Sequence, residues 1–250
     1  MEGEKLPLDV RTDVILTEVF PSPRQSLKSL PFFVVVMYYC LGLLRFNFYL
    51  AELSVVADFH FKNQETTARL GTISTFVLAG GIPTAFLCGA VVDKLRSKCA
   101  PNIEELLKLE SSNEKNRAIM WYNTRPAASS MFIFAVLTLI VSSLVFVPIE
   151  AVYYVNFVFF LLMRGFLFTT FSITVFSAFP VAQFGTIFGL CTTIAGVFSC
   201  AQFALLLLSP TQADICALVL TILLFIPPSI VFIMSSITLK RIPRDEEILQ

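Results

Sequence analysis

The sequence predicts an all-α membrane protein of six transmembrane helices, and three observations predict it. Six apolar runs, at 32–57, 70–92, 128–148, 152–178, 184–208 and 215–237, each reach the roughly 20 residues that a helix rising about 1.5 Å per residue needs to cross the hydrocarbon core. The 250 residues are 56% hydrophobic and 14% charged, with mean hydropathy +0.78, where a soluble chain carries about a quarter charged residues. The charges fall in the termini and connections, and a lipid-facing segment must satisfy its own backbone hydrogen bonds, which a helix does. The 26 phenylalanines against one tryptophan and one histidine suit lipid-facing and helix-packing surfaces better than an enzyme cleft.

Residues 1–30 are polar, mix both charge signs and lack a short apolar stretch followed by small residues. They read as a cytoplasmic segment, the end of a central loop, with the first span as insertion signal. A six-helix bundle over 31–237 follows, with a cytoplasmic loop at 93–127 and a tail at 238–250. The first span carries Arg45, Tyr49 and Glu52 on one helical face, by their four- and seven-residue spacing. In the second, Gly81, Ala85 and Gly89 recur at four-residue steps, and Pro83 beside Gly80-Gly81 should bend the helix. Within the loop, 103–109 reads as a short amphipathic helix on the membrane surface or the bundle, and 111–117 as a mobile polar stretch. Trp121 and Tyr122 precede the third span, where an aromatic belt would place them. The fourth span carries Arg164 and the hydroxyl run Thr169, Thr170, Ser172 and Thr174, which back-bonds to helix carbonyls or lines a polar path. The fifth carries a Gly185/Gly189 pair with Thr193 one turn on, and Gln202 farther along; the sixth contains Pro227-Pro228. The small-residue stripes read as helix packing, with a moving contact as the alternative.

Basic residues set an orientation. Lys5, Arg11, Arg24 and Lys28 precede the first span. Lys94, Arg96, Lys98, Lys108, Lys115, Arg117 and Arg125 fill the long loop, and Lys240, Arg241 and Arg244 follow the last span. The opposite connections hold only Lys62 and Arg69, so both termini are expected in the cytoplasm. The six cysteines form no C-x-x-C pair and read as apolar residues, not as disulfides or zinc ligands. His60, between two phenylalanines in an outer connection, reads as interfacial.

Arginines at mid-depth are costly and need a carboxylate, carbonyls or water. The spans offer Glu52 as the one acid for two arginines, leaving a substrate carboxylate, a carbonyl cluster or an acid elsewhere as the missing partner. Arg45, Tyr49, Arg164 and Gln202 are therefore the candidate substrate-binding or gating residues, with interhelix bonding the alternative for Gln202. The nucleotide-binding, zinc-protease and serine-hydrolase motifs are lacking, as is the arginine ladder of a voltage sensor. The expectation is a protein that is not an enzyme and needs no cofactor and no metal. Its partners would be the lipid bilayer and a small molecule, with no nucleic acid.

The run Gly89-Ala90-Val91-Val92-Asp93-Lys94-Leu95-Arg96-Ser97-Lys98 resembles the loop signature of the major facilitator superfamily, whose fold repeats six-helix halves. Gly89, Asp93, Lys94 and Arg96 would form its conformational loop. Three stretches resemble one branch, solute carrier family 43, which carries large neutral amino acids. They are Leu44-Arg45-Phe46-Asn47-Phe48-Tyr49, Met163-Arg164-Gly165-Phe166, and Phe179-Pro180 through Phe184-Gly185-Thr186 to Gly189-Leu190, with Gln202 on a glutamine of the pattern. The resemblance covers residue 31 to roughly 235 and corresponds to the C-terminal six of the family's twelve helices. It implies a facilitative, sodium-independent amino-acid transporter at the plasma membrane, working by alternating access and paired with an N-terminal half or a second copy. The spans' lack of a mid-depth acid in relay position favours uniport. The alternatives are the family's nucleobase branch, which departs at Leu44-Arg45, and a truncated non-transporting membrane protein.

Overall fold

In a computed structural model the described residues, 7–109 and 112–242, fold into α-helices and one 3-10 turn, with no strand among them. Lys5, Ser111 and Arg244 lie outside this set. Among the described residues five stretches are long and apolar enough to cross a membrane, as in a multi-pass membrane protein: Leu30–Leu53, Asn113–Leu144, Glu150–Ala178, Val181–Leu205 and Pro210–Lys240.

The chain opens with α1 (Leu8–Val19) and α2 (Pro23–Leu27), then α3 (Leu30–Phe61), the longest helix. Lys62 ends α3 in the left-handed region, φ 50°, and its N–H donates to the Asp58 carbonyl at 3.0 Å. The second apolar run carries a bend. It divides at Gly80 into α4 (Gln64–Ala79) and α5 (Gly81–Lys108). Pro83 cannot donate to the carbonyl four residues back, and its ring crowds that carbonyl, so the break falls one turn before it. α5 then runs on through Asp93, Lys94, Arg96 and Lys98.

Most of the stretch at 93–127 is helix. α5 continues to Lys108, and after a short link come α6 (Asn113–Asn123), capped by Ser112 accepting from the Lys115 N–H at 3.1 Å, and α7 (Arg125–Leu144). The physical reason is a second apolar core at this end. Ile103 and Ile119 bury against Ile15 and Tyr122, with Cys99, Leu106 and Leu107 packed around them. Trp121 and Tyr122 are buried in protein and form no lipid-facing belt. Burial pushes the Cys99 thiol pKa up.

Residues 7–29 fold against this same end. Asp9 pairs with Arg96, Arg11 with Glu104 at 3.8 Å, and Asn116 donates to Glu18 at 2.8 Å. α8 (Glu150–Ala178) leads through the 3-10 turn Val181–Gln183 to α9 (Phe184–Ser199), α10 (Gln202–Leu205), α11 (Pro210–Leu223) and α12 (Ile226–Lys240). The last run breaks just before Pro227-Pro228, where the prolines fill the first turn of α12. α7 packs along α8, α3 along α9, and α5 against α8. Aromatic pairs hold the centre: Tyr39 on Phe171 at 3.8 Å, Phe46 on Phe160 at 5.2 Å, and Tyr38 edge-on to Phe134 at 5.3 Å. Each such pair contributes roughly 0.5–1.5 kcal/mol beyond its buried area.

Candidate functional site: a glycine-lined groove and a closed arginine pocket

The two mid-helix arginines occupy different environments. Arg164, half-buried on α8, lines a groove of about 740 Å³ between α5 and α8. Two glycines shape this groove. A Cβ on Gly165 would stand 2.9 Å from Cys88 Sγ and 3.3 Å from Thr84, so here the helices touch. A Cβ on Gly81 would stand 2.9 Å from Arg164 Nη1, so that glycine makes room for the guanidinium. Ala85 and Gly89 continue the α5 wall, Phe168 and Thr169 the α8 wall, and Asp93 marks the end nearest the termini. Twelve residues separate Gly81 from Asp93, about 18 Å of helix. The three small residues thus share the face their spacing predicts, but Gly89 meets nothing within 4 Å and borders open space. A forked guanidinium at one level of such a groove can take a carboxylate at two points, and Phe168 offers an apolar surface beside it.

Arg45 is 1% exposed. Its Nη1 faces Glu52 Oε1 at 3.3 Å and its Nε donates to Ser142 Oγ at 3.1 Å. Ser142 in turn shares a 3.0 Å hydrogen bond with Thr221 of α11. The rings of Phe48 and Tyr49 lie 5.9 Å and 5.7 Å from the guanidinium carbon, and Tyr49 stacks on Phe160 at 4.4 Å. The neighbours in the motif face other helices: Phe46 meets α8, and Asn47 donates to Ser199 of α9 at 3.3 Å.

The account of acids in the spans is corrected by Asp214. It precedes the sixth apolar run by one residue, but α11 begins at Pro210 and carries it, 6% exposed, within electrostatic range of Arg45, Glu52 and Tyr153. The signal was present: Ser209-Pro210-Thr211-Gln212 has the residues of a helix start, and the Ser209 N–H donates to Gln212 Oε1 at 3.3 Å.

The other candidates lie apart. Gln202 is half-buried at the start of α10 and is not among the groove's lining residues. Gly185 and Gly189 are exposed with nothing within 4 Å, so the packing their spacing predicts is not made among the described residues. Lys94 is exposed, while Arg96 pairs with Asp9 of α1. Sequence reasoning also missed Gln183, buried in the turn after α8, where it accepts from Ser26 at 2.6 Å and donates to the Phe20 carbonyl at 2.7 Å. At the end of the bundle opposite the termini, His60 Nδ1 and the Tyr153 hydroxyl share a 2.9 Å hydrogen bond, and Arg69 pairs with Glu150. His60 lies beyond the apolar stretch Leu30–Leu53, and partial burial lowers its pKa. Among the described residues no group of three His, Cys, Asp or Glu side chains is placed to hold a metal ion.

Compared with known proteins, the chain matches no family model, no curated protein and no solved structure.

Proposed function

We propose that this chain forms the C-terminal six-helix half of a major facilitator type transporter that moves large neutral amino acids down their gradient, without sodium, by alternating access. The observation that carries the reading is the groove in which Arg164 lies against Gly81 between α5 and α8. A guanidinium fork beside Phe168 suits an amino acid with a carboxylate and an apolar side chain. In this reading the basic end with both termini faces the cytoplasm of a plasma-membrane protein. The open small-residue faces, Gly89 on α5 and Gly185 and Gly189 on α9, meet a further six helices or a second copy.

The test is uptake of leucine and phenylalanine, normalised to inserted protein, by residues 1–250 alone and by the same residues joined behind a first six-helix half. Uptake is expected from the joined form only. Arg164→Ala in that form should lose about tenfold or more, the worth of one charge-assisted hydrogen bond. Saturable uptake by residues 1–250 alone would replace the missing half with a homodimer. Nucleobase uptake in place of leucine would change the cargo, and no uptake of either would reject the transporter reading.

A further inference from the structure

The pocket around Arg45 holds two carboxyl groups and one guanidinium. The chain Arg45–Ser142–Thr221 ties α3, α7 and α11 together at one level of the bundle. From that level Glu52 lies seven residues along α3 and Asp214 seven residues back along α11, about 10 Å in each case. The two helices run in opposite directions, so both displacements point to the end away from the termini, and the carboxyls arrive at the same height. Both are closed off, Glu52 at 3% exposure and Asp214 at 6%. Glu52 Oε1 faces Arg45, whereas Glu52 Oε2 is buried with no hydrogen-bond partner among the described residues.

The remaining groups facing the pair are few. α3 adds Tyr49, whose buried hydroxyl also lacks a partner, α7 adds Ser142, and α8 adds Tyr153. None of these supplies a second positive charge. With both acids ionised, the pocket would carry one uncompensated negative charge inside an apolar bundle, at a cost of several kcal/mol. A single proton removes that charge and turns the orphaned oxygen into a donor or gives it one.

We propose that Glu52 and Asp214 form a proton-binding site, in which the two carboxyls hold one exchangeable proton between them beside Arg45. The proton comes from water at the end opposite the termini and returns there. The hydrogen-bonded His60–Tyr153 pair stands between that surface and the carboxyls, with Tyr153 within electrostatic range of both. Protonated, the pocket is neutral; deprotonated, Glu52 and Asp214 repel each other across the contact of α3 with α11. The proton belongs to the pair and not to either residue. The site stands whether or not the chain transports anything.

The experiment is infrared difference spectroscopy of the chain in lipid nanodiscs near pH 7, reading the protonated-carboxyl C=O stretch and its shift in heavy water. Wild type should give one such band. Glu52→Gln and Asp214→Asn should each abolish it, because either leaves a single carboxylate that Arg45 neutralises without a proton. A band that survives one substitution would mean one isolated buried acid and would overturn the shared site. Should the substituted chains fail to fold, wild type alone decides: absence of the band at every pH from about 5 to about 8, above the ordinary carboxyl range, overturns the proposal.

Discussion

Arg45 lies 1% exposed between α3, α7 and α11, bonded to Ser142 and paired with Glu52, whereas Arg164 lies half-buried along an open groove of about 740 Å³. In sequence the two look alike, each a single arginine near the middle of a long apolar run. The difference lies in what surrounds them. α3 is flanked by helices whose polar residues, Ser142, Thr221 and Asp214, converge on Arg45 from two directions. α8 meets α5 across Gly165, and small residues along α5 leave the space beside Arg164 unfilled. Small neighbours thus leave one mid-membrane arginine bordering a groove, whereas buried polar neighbours close the other into the bundle.

The largest expected effect breaks that comparison most directly. Arg45→Leu leaves Glu52 and Asp214 buried without their cation and should cost about 3–5 kcal/mol, read as a lower thermal unfolding midpoint in detergent. Adding Glu52→Leu should recover part of the loss, since an apolar pair replaces an ionic one. Arg164→Leu, at a half-buried position open to the groove, should cost less, because solvent screens the charge there. Equal losses at the two arginines would erase the distinction between fastening and site.

Next in size is a contrast among glycines. Gly165→Ala pushes a methyl against Cys88 and Thr84 and should cost about 1–3 kcal/mol. Gly185→Ala and Gly189→Ala meet open space, and a better helix former there should be neutral or stabilising by up to about 1 kcal/mol. Destabilisation at Gly189 in the isolated chain would mean that the α9 face is covered, for instance by a second copy.

The helices were legible because their cause is local. Apolar length, Pro83, Pro227-Pro228 and the Ser209-Pro210 start are written within a few residues of the structure they produce. The bend before Pro83 was expected from the proline, but the length of α5 was not, because the helix continues past Asp93. That continuation was not legible. Polar residues at 93–98 read as a connection, and only the apolar core of Ile103, Ile119 and Ile15, joined from three separated segments, makes them helix. The groove was half legible. Four-residue spacing put Gly81, Ala85 and Gly89 on one face, while the opposing Arg164 came from a helix more than seventy residues later. Asp214 and Gln183 were missed for one reason: each sits just outside an apolar run and acquires burial from elements distant in sequence.

Gly81→Ala sharpens the groove side of the comparison without deleting any charge. Its methyl would fall 2.9 Å from Arg164 Nη1, and the flexible guanidinium must move aside. In the joined form, leucine uptake should fall several-fold, less than the tenfold of Arg164→Ala, with unfolding nearly unchanged. Arg164→Lys should fall with the losses too, since lysine keeps the charge and lacks the fork. Wild-type uptake from both variants would move Arg164 from the path to the scaffold.

The smallest effect separates the closed pocket from the solvent that borders it. His60 bonds to Tyr153, and burial lowers its pKa in the folded chain. The unfolded chain therefore takes up a proton that the folded chain resists, so the histidine's contribution to stability rises with pH across this range. The contribution is complete above the ordinary histidine value of about 6.5 and declines as pH falls through it. Because His60 is only partly buried, solvent screening keeps its share of the slope to about 1 °C in unfolding midpoint between roughly pH 7.5 and 5.5, opposite in sign to the share of the proton held by Glu52 and Asp214. His60→Gln should remove that share while leaving the Arg45 pocket intact, and Tyr153→Phe should change it by deleting the hydrogen-bond partner. An unchanged slope in His60→Gln would detach His60 from the acid sensitivity, and the carboxyl pair could not replace it, since a proton held in the folded chain makes stability fall as pH rises.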